Sequence, residues 1–173
     1  MTKMLSRAGR AAILDRKVFT EVFFDDDAMA DAAIVVSLVG AATYLGALVW
    51  FGVLGAFSLV GLLQLVLTSV AMWLILGFAT WFAATRLFGA TNRPQTLIAM
   101  QGLAILPLLL EVFGGLLATA GLIWYLVVLV VATKEGTDLA TRDAAVSVLI
   151  GFAAAVVIRA LLGVPFAAFS ALF

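Results

Sequence analysis

Five long apolar runs, separated by short stretches that hold most of the polar and charged residues, organise the chain. By length they predict membrane-crossing helices over about 32–53, 59–88, 96–113, 116–133 and 144–165, since ~20 apolar residues cross a hydrocarbon layer ~30 Å thick. Residues 1–31 read differently. Ala11, Leu14, Val18 and Val22 recur at i+3 and i+4 while Arg16, Lys17, Thr20 and Glu21 fall elsewhere on the wheel, which predicts a short amphipathic helix. Either this leader lies in the headgroup plane with Arg7, Arg10, Arg16 and Lys17 toward anionic lipid, or it packs on the protein's own cytoplasmic loops. The expected fold is therefore all-α: a polytopic bundle of five transmembrane helices (32–173) behind a cytoplasmic leader (1–31).

The connections sharpen this picture. Asp25, Asp26 and Asp27 offer carboxylates for a divalent cation, but a solvated turn that caps the next helix explains them more simply. Trp50 and Phe51 close the first span where an interfacial aromatic belt belongs, and the turn around Gly52, Gly55 and Ser58 makes spans one and two an antiparallel hairpin. The second run is longer than a bilayer needs and should tilt or protrude. Within it, Gln64 is expected to make an interhelical hydrogen bond rather than hold a ligand. The turn Thr91-Asn92-Arg93-Pro94 starts the third span.

In that third span, Pro107 should kink the helix just below Glu111. Gly114 and Gly115 permit a tight turn into the fourth span, where Trp124 and Tyr125 fall mid-helix. Away from the aromatic belt, these two are expected to pack between helices with indole and hydroxyl hydrogen-bonded. After a charged loop over 134–143, Ser147, Gly151, Ala155, Arg159 and Gly163 recur every fourth residue as a small-residue stripe for close helix packing. Pro165 should end the continuous helix and leave 166–173 as an interfacial tail.

Composition supports the membrane reading: 65% of the 173 residues are hydrophobic and 12% charged, and mean hydropathy is +1.23. A soluble domain is nearer half apolar and a quarter charged. Ten basic and ten acidic residues cancel, so no global basic field recruits nucleic acid. With no cysteine or histidine, disulfides, thiolate sites and the commonest metal ligand and general base are missing. No nucleotide loop, hydrolase elbow or metalloprotease motif occurs, and no cofactor or enzymatic activity is expected. No removable signal peptide is read at the amino terminus.

If the amino terminus is cytoplasmic, the cytoplasmic segments hold nine Lys and Arg, and the opposite turns near Gly55 and Gly115 hold none. The positive-inside rule then places the carboxyl terminus across the membrane. Glu111 and Arg159 each lie 15 residues past the start of an outward-running span, about 22 Å deep at ~1.5 Å per residue. They are expected to meet between the third and fifth spans, as a structural pair or as a polar site or conduction step. Separate snorkelling to the outer surface is the third possibility.

The order of parts resembles the Yip family of five-span membrane proteins in its bacterial form. The resemblance rests on the basic amphipathic leader, the polar turn leading into GLAILPLLL with Pro107, and IWYLVVLVVATKEGTDLATRDAAVSVLIG, in which Trp124 precedes a charged loop and then Thr141 and Arg142. It covers about Gly61 to Gly163. The resemblance implies an integral membrane protein without enzymatic activity. Eukaryotic members act in vesicle trafficking and contact prenylated Rab GTPases, but their acidic, aromatic, Gly-Pro motif is missing from this leader. The resulting expectation is a plasma-membrane adaptor or organiser that meets lipid, or a membrane or cytoplasmic protein, through its leader and loops. The alternative is a small transporter or channel built on Glu111 and Arg159.

Overall fold

The computed structural model describes residues 2–161, which form helices and turns with no strand. Two short helices, α1 (Thr2–Ala12) and α2 (Arg16–Phe23), come first. Five segments long and apolar enough to cross a membrane follow: α3 (Ala28–Trp50), α4 (Leu59–Phe88), a composite third span, α6 (Gly115–Thr137) and α7 (Thr141–Leu161). The third span joins α5 (Pro94–Leu103) to a 3-10 helix over Leu106–Phe113. The protein is thus an all-α integral membrane helix bundle. Gly163, Pro165 and the 166–173 tail lie outside the described residues.

Local chemistry sets the helix ends. The Ser58 hydroxyl accepts the Gly61 N–H at 3.3 Å to cap α4, and Gly89 ends it in the left-handed region at φ +72°, which costs glycine nothing. The acid run turns the chain: the Asp25 carboxylate accepts the Asp27 N–H at 3.0 Å, and α3 starts at once, at Ala28 rather than near residue 32. Asp27 holds the N-cap position without a side-chain cap bond. The leader is two helices rather than one. Leu14 takes φ +63°, a conformation costly for a branched side chain, and Asp15 restarts the helix by accepting the Lys17 N–H at 3.1 Å.

Pro107 does more than bend the third span. It has no N–H to give, and its ring would clash with the carbonyl of Leu103, four residues back; the α-helix stops at Leu103. The chain resumes as a 3-10 helix with Pro107 in its first turn. At about 2.0 Å per residue this stretch lengthens the segment relative to an α-helix of equal residue count. Gly121 of α6 packs on the break, where an added Cβ would lie 2.6 Å from the Pro107 carbonyl oxygen.

The third span is the most enclosed of the five. Leu97, Met100, Leu103 and Ala104 are buried, with α3, α4 and α6 around them. Two hydrogen bonds tie it to its neighbours. The Trp73 indole donates to the Ile98 carbonyl at 2.9 Å, and the Gln101 amide donates to the Thr133 hydroxyl at 3.1 Å.

The last helix packs mainly on α4 and secondarily on α6. Ser147, Gly151 and Ala155 are buried, as the small-residue stripe requires, and a Cβ on Gly151 would collide with the Thr80 hydroxyl and lie 2.9 Å from the Leu76 carbonyl. The stripe thus seats α7 against the second span, not the third as the ion-pair argument assumed. Gly151→Leu is expected to cost about 1–3 kcal/mol by overpacking. Leu149→Ala, on the exposed side, should stay within about 0.5 kcal/mol. Denaturant unfolding in detergent compares the two, and equal effects would remove the α4–α7 seam from the account.

Candidate functional site

The leader folds back onto the bundle. Met4, Ala8, Ala11, Val18, Phe19 and Val22 are buried against α3, α5 and α6, so of the two expected placements the protein's own surface prevails, with helices rather than loops beneath. The Trp124 indole fastens this arrangement by donating to the Ala12 carbonyl at 2.7 Å. Trp124 is 42% exposed, so it is hydrogen-bonded as expected but sits at the bundle surface; Tyr125 is the one packed between helices.

The leader's basic residues are engaged within the chain. Arg7 is 5% exposed and meets Asp25 at 2.5 Å, Asp31 at 3.6 Å and Glu21 at 3.8 Å. Arg10 meets Asp15 at 2.7 Å and Glu21 at 2.9 Å, and Lys3 meets Asp25 at 3.3 Å. Arg16 reaches Glu135 of α6 at 3.6 Å, and Lys17 is exposed. Arg7 is therefore closed to lipid headgroups, because burying it requires the surrounding carboxylates as partners. The Arg7 guanidinium and then the Asp27 N–H hold the Asp25 carboxyl well below its ordinary 3.8, at about 2. Asp15 is lowered likewise, chiefly by its hydrogen bond from Arg10.

Beside this network a cleft of about 950 Å³ opens between the leader, the start of α3 and the α4–α5 turn. Phe23 and Phe24, Asp25 and Asp26, and Asn92 and Arg93 form its walls. Phe24 is 80% exposed and stacks edge-on to Phe23 at 5.2 Å between ring centroids. Both polar atoms of the Asn92 amide are shielded from solvent without a hydrogen-bond partner in the fold. The sequence carried one local sign of this cleft, two aromatics directly before three acids. The wall supplied from residues 91–96 had no such sign.

At the other end of the bundle, Glu111 is 7% exposed and both its oxygens lack a hydrogen-bond donor among the described residues. Arg159 is 1% exposed. No contact within 4.0 Å joins their charged atoms among the described residues, so the expected direct pair does not form. Glu111 borders a cavity of about 320 Å³ shared with Thr43, Trp50, Phe51 and Thr119. Among the described residues no group of three acidic side chains is placed to hold a metal ion, the Asp25–Asp27 run included.

Together these features define a multi-span membrane protein with a leader-capped cleft at one end and a buried acid at the other. No family model, curated protein or solved structure matches the chain.

Two predictions follow from the charges. Because the folded pKa of Asp25 is depressed, its stabilising effect is complete above about 4 and is lost as pH falls toward about 2. The protection factors of the α1 and α2 amides, that is, their exchange rates relative to an unstructured chain at the same pH, should accordingly stay unchanged from pH 8 to 5 and fall below about 4, and Arg7→Gln should remove that step. For the second, a double-mutant cycle with Glu111→Gln and Arg159→Met should show a coupling of about 0.5–3 kcal/mol in unfolding experiments. Strict additivity would separate the two charges.

Proposed function

We propose that this protein is a non-enzymatic membrane adaptor or organiser of the Yip type, with its leader and cleft on the cytoplasmic side of the plasma membrane. The observation that carries the reading is the open cleft of about 950 Å³ built jointly by the leader and the α4–α5 turn. Its aromatic and acidic groups can recognise a polypeptide: exposed rings supply apolar contact, and the Asp25 and Asp26 carboxylates accept hydrogen bonds from a partner. The basic leader serves this role by folding the cleft wall in place, since Arg7 and Arg10 are spent on internal ion pairs. The resemblance of the region from Gly61 to Gly163 to the Yip family, and the concentration of Lys and Arg in the segments facing the leader side, support the same assignment and orientation.

A second reading, a small transporter or channel, is favoured by one specific feature, the cavity of about 320 Å³ bordering Glu111. Two measurements separate the readings. A photo-crosslinking residue at Phe24 in native membranes should give a discrete adduct that Asp26→Lys abolishes, while the same residue at Thr119 should give none. Conversely, a Phe24 probe without adducts, together with solute flux in reconstituted vesicles that Glu111→Gln stops, would replace the adaptor with the transporter.

A further inference from the structure

We infer that the chain pairs with a second copy of itself through the face of α4 that carries Gln64. This goes beyond the adaptor reading and does not depend on it. Gln64 is exposed, and its side-chain amide makes no hydrogen bond to any described residue; only its backbone carbonyl is engaged, by the Thr68 hydroxyl at 2.7 Å. Val60, Leu63, Leu67, Thr68 and Ala71 surround it along a shallow groove of about 550 Å³, at the spacing of one helix face.

The depth of this amide makes it costly in isolation. Gly61 of α4 packs against Tyr44 of α3, and Gly40 of α3 packs against Ser69 and Val66 of α4. Gln64 therefore lies level with α3 residues between Gly40 and Tyr44, six to ten residues short of the exposed Trp50 that marks the aromatic belt. At about 1.5 Å per residue that is some 9–15 Å inside the apolar layer, farther than a three-carbon side chain reaches. Acyl chains offer the amide neither donor nor acceptor.

A primary amide carries both, so it is complementary to itself. Two copies related by a two-fold axis near residue 64 would let each Gln64 donate to the other and accept from it, with Ala71 and the self-bonded Thr68 allowing the helices to approach. A sequence reading already asks Gln64 for an interhelical bond. Among the described residues the fold supplies no such partner, and an identical chain is the occupant whose chemistry matches.

The absence of native cysteine gives a clean test in membranes of the expressing cell. Oxidation of Leu67→Cys and Ala71→Cys variants, which keep Gln64, should yield a species of twice the chain mass, and Leu149→Cys on the exposed side of α7 should not. In reconstituted vesicles Gln64→Leu should weaken self-association roughly fivefold or more, with Gln64→Asn retaining most of it. At a detergent dilution where the parent is monomeric, unfolding transitions of these variants should match it, because the replaced side chain is exposed and makes no hydrogen bond to a described residue. Uniform crosslinking at all three positions, none at 67 and 71, adducts with a different protein only, or unchanged association of the Leu variant would each overturn the proposal.

Discussion

A helix bundle in lipid cannot borrow hydrogen bonds from its surroundings, and the third span is where that constraint bites hardest. It is the most enclosed segment, it contains Pro107, and it carries Gln101 and Glu111. The fold meets the constraint in three different ways. Gln101 is matched by Thr133, the backbone around Pro107 is re-formed as a 3-10 helix, and α6 closes on the break at a residue without a side chain. Glu111 is the exception, buried with no hydrogen-bond donor to either oxygen among the described residues. The two ends of the molecule thus differ in kind. At one, every leader arginine has a carboxylate within 4.0 Å; at the other, the buried Glu111 carboxylate has no cation within that distance among the described residues.

Much of the fold was legible because its determinants are local. Residues 59–88 come out with the expected bounds since Ser58 and Gly89 are a cap and a left-handed stop that act within one turn. The amphipathic periodicity of the leader also correctly marks Ala11, Val18 and Val22 as buried. Periodicity could not mark Arg7. Its burial depends on Asp25 and Asp31, 18 and 24 positions away, which only the folded leader brings together. Nor did periodicity see the break at Leu14, where a strained backbone is held by packing on both sides.

The candidate sites were less legible for a geometric reason. Counting residues along two helices gives an expected depth for Glu111 and Arg159, which the 3-10 stretch before Glu111 alters, and it says nothing of which helix faces which. The stripe of Ser147, Gly151 and Ala155 specified close approach without naming its partner, and the backbone beside Thr80 turned out to be the surface that fits. Gln64 shows the same limit from the other side. Its polarity demanded a bond, while its position on the bundle exterior was a property of the assembled helices.

The internal pairing of the leader does not conflict with an orientation read from positive charge. The positive-inside bias acts on a chain that is still inserting, when Lys3, Arg7 and Arg10 have not yet met their acids and each carries its charge into the choice of side. Asp and Glu weigh little in that choice, so the later partners do not cancel it. Once the spans are placed, the same arginines can be withdrawn from solvent at no cost to topology, because returning the leader to the other side would drag the whole charge network through hydrocarbon. One set of residues can therefore direct insertion first and hold the cleft wall afterwards. The neutral net charge of the chain conceals both uses.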